Sequence, residues 1–328
     1  MSWREFPKVE LHLHLEGAAP PSFIRGLAKE KHIDLSGIFT REGDGYAYDD
    51  FDHFLQVYEA ACTTLQSPED FRRLTLAVLE ESASHGVVYT EAFLSPDFCG
   101  GGDVSAWRDY LAAIEDAAAE AERSFGITLR GIVTAIRHLG PEQAKTAALC
   151  AAETAGPFVT GFGLAGAELV GRPGDYAWSF DMAREAGLSL TCHAGEWGGP
   201  DMVADTIRDL KVSRIGHGIS AVRDPALCER LAEDGVVLEV CPGSNVFLGA
   251  AKSWATHPIA ELREREVKVT ISTDDPPYFH TTMTKEFEGL ERAFRWGEED
   301  FQELTEVALA AAFCDEETRG KVKERLTR

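Results

Sequence analysis

Short apolar runs alternate along this chain with longer stretches in which apolar positions recur every three or four residues. Eight of the short runs have strand character: Val9–Leu15, Val87–Leu94, Thr128–Ile136, Phe158–Leu164, Leu188–Cys192, Arg214–Gly216, Val236–Val240 and Lys268–Ser272. Between them lie amphipathic or alanine-rich segments such as Ala106–Phe125, Glu142–Thr154, Tyr176–Ala186, Pro225–Asp234 and His257–Arg265, whose period is that of a helix. Strands that alternate with helices pair in parallel through crossover connections. The pattern predicts a (β/α)8 TIM barrel, ahead of an open doubly wound sheet.

One interval breaks the rhythm. Residues 16–86 separate the first two strands and carry at least three helical patterns, far beyond the roughly two to six residues of an ordinary strand-to-helix loop. Within it, Phe51, Phe54, Leu55 and Tyr58 share a helical face, and Ser67-Pro68 reads as an N-cap followed by proline in the first turn. An apolar stripe is ordinarily core. Because this insertion leaves the barrel directly after the first strand, it is also a candidate lid, with Phe54 and Tyr58 as substrate-facing positions.

No Ser/Gly/Pro linker divides the 328 residues, so one barrel domain spanning 1–328 is expected, with 16–86 inserted in it. No apolar run approaches the ~18 residues of a membrane span. The first residues lack a basic start and an apolar stretch, which predicts a cytoplasmic protein. Seven scattered cysteines without C-x-x-C read as reduced thiols. A net charge of -23, from 55 acidic and 32 basic residues, disfavours nucleic acid and anionic membranes as partners. It assigns no oligomeric state.

Candidate chemistry gathers at strand ends. In the first strand His12 and His14 are two apart and project from one face. The fifth strand ends Thr191-Cys192-His193-Ala194-Gly195-Glu196, the sixth carries Gly216-His217-Gly218, and the eighth ends Ser272-Thr273-Asp274-Asp275-Pro276. Active sites of such barrels lie at the C-terminal ends of the strands, so three histidines and a carboxylate converge on one rim. That is the donor set of a catalytic metal, zinc by preference, with iron and manganese open on the ligands alone.

Several signals are discounted. Gly161-x-Gly163-x-x-Gly166 matches a dinucleotide fingerprint, but Gly171, Pro173 and Gly174 interrupt the helix it needs. Cys241-Pro242 reverses the order required by the cytidine-deaminase zinc motif. Cys192 adjoins His193 but alternates to the opposite face, and is read as core. Arg137-His138 ends the third strand within reach of the site but is read first as a solvated loop pair, and His32, His53, His85, His257 and His280 as surface or packing residues.

Taken in order, His12-x-His14, His193-Ala-Gly-Glu196, Gly216-His217-Gly218 and Ser272-Thr-Asp274-Asp275-Pro276 resemble the adenosine/AMP deaminase family of the amidohydrolase barrels. The likeness extends through Leu11-His-Leu-His-Leu-Glu-Gly-Ala18 and Cys241-Pro-Gly-Ser-Asn245. It implies hydrolytic deamination of a 6-aminopurine, with His12, His14, His193 and Asp274 as metal ligands and Glu196 as the proton donor to purine N1. It further implies His217 as the group that orients and deprotonates the attacking water, Asp275 as a partner of N7, and Gly166 as a backbone donor to N3. One divalent metal, Zn2+ first, is the cofactor expected. The two-metal barrels of this superfamily bridge their metals with a carboxylated lysine after the fourth strand, and Gly161–Glu168 has no lysine.

Two positions depart from the pattern. Typical adenosine deaminases have an aspartate, tied to the ribose 5'-hydroxyl, where this chain has Glu16, and many carry an arginine at the place of Phe93. Both lean towards the adenine deaminase branch, whereas Ser95-Pro96 and Thr273-Asp274-Asp275-Pro276 look like the nucleoside branch. The leading expectation is adenosine and 2'-deoxyadenosine as substrates, with adenine the alternative. A metal-dependent phosphoesterase would want a cationic phosphate clamp, and a non-catalytic metal scaffold would have no use for Glu196, His217 and Asp275.

Overall fold

The computed structural model describes residues 2–35, 37–41 and 45–327; Ser36 and residues 42–44 of the insertion lie outside the described residues. Eight strands pair in chain order: β1 Lys8–His14, β2 Val87–Leu94, β3 Thr128–Ile136, β4 Val159–Ala165, β5 Ser189–Ala194, β6 Arg214–His217, β7 Val237–Val240 and β8 Lys268–Ile271. All neighbours are parallel. The ring closes where the N–H of His14 donates to Asp274 O at 3.0 Å and the N–H of Asp274 to His12 O at 3.1 Å. The fold is a (β/α)8 barrel, and the predicted strands fall within a residue or two of those observed.

Helices α1 Pro21–Glu30, α2 Phe51–Cys62 and α3 Pro68–Ser84 make up the insertion. Around the barrel follow α4 Val104–Phe125, α5 Pro141–Thr154, α6 Ala177–Glu185, α7 Pro200–Leu210, α8 Pro225–Asp234, α9 Pro242–Leu248 and α10 Ile259–Glu264. The chain ends in α11 Met283–Phe294, α12 Glu298–Ala311 and α13 Glu316–Leu326, none of which the apolar pattern had singled out. Among the described residues no helix is long and apolar enough to cross a membrane. All seven cysteines are free thiols.

Local chemistry sets the element ends. The Asp50 carboxylate accepts the N–H of His53 to start α2, and the Ser67 hydroxyl accepts that of Asp70 to start α3, each satisfying a donor the helix cannot. Strands buried on both faces alternate between two packing environments. In β1, Val9 and Leu11 pack outward with Tyr89, Ala308 and Leu309, so α12 covers this seam, while Glu10, His12 and His14 occupy the other face.

The barrel interior holds a network of charges. Arg214 in β6 is ion-paired at 2.6 Å with both Glu91 of β2 and Glu239 of β7, and its guanidinium stacks 3.5 Å from the centre of the Phe313 ring. All three charged residues are buried. Such a network survives burial only because each charge has a partner, and removing one member strands the others.

One reading is corrected. Arg137 is wholly buried and donates from Nη2 to the carbonyl of His193 at 2.8 Å, while its own carbonyl accepts the Tyr176 hydroxyl at 2.7 Å. His138 beside it lines the central cavity. The pair braces the rim because β3 runs directly into a short turn of 3-10 helix, which folds Arg137 back under β5.

Candidate active site

Strand alternation and the closing of the barrel bring His12, His14, His193 and Asp274 together, with one donor atom from each lying within 4.8 Å of the others. The contacts run between ring Nε2 atoms and one carboxylate oxygen. His14 Nε2 is 3.2 Å from His193 Nε2 and 3.3 Å from Asp274 Oδ1, and His12 Nε2 is 3.4 Å from the same oxygen. Asp274 holds a left-handed backbone, φ 69°, a conformation that aspartate tolerates better than most residues with a side chain.

The far nitrogens of two rings are already committed. His12 Nδ1 donates to Glu239 Oε2 at 2.8 Å, and His193 Nδ1 donates to the Leu164 carbonyl at 3.1 Å. Each ring therefore turns an Nε2 lone pair inward, as a carboxylate or carbonyl behind a metal-binding histidine ensures. His12 Nε2 is buried without a hydrogen-bond partner in the protein. Asp274 Oδ2 accepts the Ser244 hydroxyl at 2.7 Å, fixing which oxygen faces the histidines. These residues fit a single divalent metal, and the Phe93 ring, at 4.7 and 4.8 Å from the rings of His12 and His14, walls it on one side.

Beside this cluster opens a cavity lined by apolar side chains and several carboxyl groups. Phe51, Phe54, Leu55 and Tyr58 of α2 form one wall; Glu16, Glu196 and Asp275 supply carboxyl groups. Glu16 Oε1, Glu196 Oε1 and Asp275 Oδ1 are all buried without a protein partner. Orphaned polar atoms aimed into one cavity mark where a polar ligand must satisfy them. Burial, then the charge of Asp274, pushes the Glu196 carboxyl well above the ordinary range. The same two causes raise Asp275, and burial raises Glu16 to about 7. Asp274 is the exception: burial opposes its charge, but the His12 and His14 imidazoles beside it outweigh that and hold its carboxyl well below the ordinary range.

The remaining predicted positions also lie here. His217 Nε2 stands 3.7 Å from Glu196 Oε2 and 3.9 Å from Asp274 Oδ2. Gly166 lines the cavity at φ 94°, and a Cβ there would come within 2.8 Å of His138 Nδ1. Gly17 is required by close approach, since a Cβ on it would meet the Asp275 carboxylate at 1.5 Å. Tyr58 donates to Glu16 at 3.4 Å; Phe54, 5% exposed, is as much core as wall, packing against Tyr278 and Phe279.

Several supporting residues were not singled out by sequence. Glu168 accepts backbone N–H groups from Gly195, Glu196, Trp197 and Gly198, holding the loop that carries Glu196. Asn245 lies between His217 and His257, and His257 is a buried, hydrogen-bonded residue and not a packing filler. Charged residues inside barrel strands, such as Glu91, Arg214 and Glu239, were a legible signal, because a strand buried on both faces tolerates charge only in a pair.

Comparison with known proteins agrees with this geometry. The family model described as adenosine deaminase matches residues 7–328. An adenine deaminase of Rhizobium leguminosarum bv. trifolii is 45% identical over 320 residues, covering 97% of this chain and 98% of that protein. Among solved structures, the adenine deaminase of Arthrobacter aurescens superimposes with a TM-score of 0.87 at 29% identity, covering 98% of each chain. An amidohydrolase of Burkholderia ambifaria with bound Zn gives 0.86 at 27% identity, covering 99% of this chain and 90% of that one.

Proposed function

This chain belongs to the adenosine deaminase family of metal-dependent aminohydrolases, and from that premise we propose that it converts adenine and water to hypoxanthine and ammonia. The observation that carries the choice of adenine over the expected adenosine is the 45% identity, across nearly full length, to a protein named adenine deaminase. Glu16 supports it. Its buried Oε1 has no partner in the protein, and a free base offers an N–H on the imidazole ring that the glycosidic bond removes from a nucleoside. No lysine or arginine is among the described residues lining the cavity, so a nucleotide phosphate would find no cationic clamp.

His12, His14, His193 and Asp274 would hold one divalent metal, zinc by preference, which when bound lowers the pKa of water to about 7 and so supplies a nucleophile at neutral pH. Addition at C6 breaks the aromaticity of the ring and drives charge onto N1, a cost that is relieved when N1 gains a proton. Glu196, kept protonated by burial, delivers that proton. Asp275 faces the imidazole edge of the base at N7, Gly166 offers its N–H to N3, and His217 orients the attacking oxygen. Phe51, Leu55 and Tyr58 exclude water from the face of the ring.

The test is ammonia release from adenine, adenosine, 2'-deoxyadenosine and AMP. A higher kcat/KM for adenine than for adenosine is expected. The reverse order would return the assignment to the nucleoside, and release from none of them would remove the purine reading.

A further inference from the structure

We propose that Asn245 and His257 form a positioning relay, anchored on the backbone N–H of Ile259, that holds His217 as the tautomer protonated on Nε2. It deepens the reading above, and rests on that reading only for its kinetic test.

The order of donors follows from one group that has no choice. Ile259 is the first residue of α10, so its N–H has no acceptor within the helix; it donates to His257 Nδ1 at 3.1 Å. His257 is buried, and burial holds its pKa down at about 3, so the ring is neutral and its one proton must sit on Nε2. That Nε2–H points at Asn245 Oδ1, 3.2 Å away. The amide orientation is thereby fixed, with its NH2 group turned to His217 Nδ1 at 3.1 Å. Turning the amide over would set a donor against His257 Nε2–H. An amide donor facing Nδ1 means that Nδ1 bears a lone pair, so a neutral His217 carries its proton on Nε2.

The consequence separates His217 from the neighbouring imidazoles. His12 and His193 donate from Nδ1 and present lone pairs at Nε2, whereas His217 presents an N–H into the space shared with Glu196 and Asp274. His217 is thus a hydrogen-bond donor to the oxygen that attacks the purine. The base implied by the family likeness has to be another group.

The tautomer is directly visible. In the zinc-loaded protein labelled with 15N-histidine, a two-bond nitrogen–proton correlation spectrum, with His217 assigned by its loss in His217→Phe, should show pyrrole-like Nε2 and pyridine-like Nδ1. Asn245→Asp replaces the donor by an acceptor of the same shape. It should shift the proton of His217 to Nδ1 and lower kcat at least ~10²-fold while KM changes little, since misplacing the tautomer of a catalytic histidine costs about 10⁴ in serine proteases. His257→Gln, which retains an N–H for Asn245, should keep more activity than His257→Phe. A wild-type spectrum with His217 protonated on Nδ1 overturns the relay, and needs no variant to fold. So does a folded Asn245→Asp protein whose His217 pattern is unchanged. Because the spectrum requires no substrate, its outcome stands whether or not adenine is the purine deaminated.

Discussion

Glu168 accepts the backbone N–H of Glu196 at 3.1 Å, and with it those of the residues on either side, so that a buried carboxylate on the loop after β4 holds the loop after β5. Nothing in the chemistry of deamination calls for Glu168. Its task is to keep Glu196 at a fixed depth in the cavity, where displacement of about 1 Å can cost 10²-fold in rate. Removing it leaves buried N–H groups at about 1–3 kcal/mol each, less what entering water recovers. Glu168→Ala should therefore lower both Tm and kcat, and Glu168→Gln, which keeps one acceptor oxygen, should retain the fold yet lose at least about tenfold in kcat. Wild-type kcat in the glutamine variant would make Glu168 a structural residue only.

One transition metal per chain is expected on elemental analysis, lost in His12→Ala and Asp274→Ala. A sharper test is Glu239, which touches no ligand but His12. Glu239 orients the ring through Nδ1 and is itself held by Arg214 and by Thr191 at 2.9 Å. Glu239→Gln should weaken metal binding by about 10–100-fold, the scale of losing the partner behind a ligand histidine. Two metals per chain, or unchanged affinity in Glu239→Gln, would contradict the single-site reading.

The two kinds of residue differed in how readable they were. His12 and His14 follow from alternation within one strand, and His193, His217 and Asp274 from their positions at strand ends; once the barrel is inferred, its geometry assembles them. Glu168 and Asn245 have no such marker. Glu168 follows Ala167 on an irregular loop, Asn245 sits in a single short helix, and both act on residues distant in sequence, 28 positions in each case. His257 looked bland for the same reason. Its meaning comes from the free N–H of the helix it precedes, which no spacing rule records. Arg137 was misjudged because a charged pair at a strand end is ordinarily solvated, and only the fold of the following turn buries it.

Phe51 and Phe54 should respond differently to truncation although both line the cavity. Phe54 belongs to a cluster with Tyr278 and Phe279, so Phe54→Ala should cost about 3–5 kcal/mol of stability, the range for a buried phenylalanine. Phe51 is half-buried and meets Trp197 of the Glu196 loop with ring centres 5.3 Å apart. Phe51→Ala should raise KM several-fold with a Tm shift of a few degrees at most. Equal losses of Tm in the two variants, with KM unmoved, would make this face of α2 a packing surface and not a lid.

Glu16 links substrate choice to pH. Its folded pKa of about 7 lies above the ordinary 4.5 because burial disfavours its charge. A raised carboxyl contributes stability that is full below 4.5 and is lost as pH rises through about 7, since the folded state must then bury a charge. Glu16→Gln should accordingly be more stable than wild type at pH 8, by up to about 3 kcal/mol for a shift of this size, and gain nothing at pH 4. Catalysis should run the other way. An ionised Glu16 is the better acceptor for an imidazole N–H of the free base, so kcat/KM for adenine should rise with pH through about 7 in wild type and lose that inflection in Glu16→Gln. The activity should fall again only at higher pH, as Glu196 gives up the proton that burial has kept on it. Glu16→Ala separates the substrates: if Glu16 receives an N–H that only the free base has, adenine turnover should suffer more than any residual adenosine turnover. Greater damage to adenosine would mean that Glu16 meets a ribose hydroxyl, and the cavity would then be a nucleoside site.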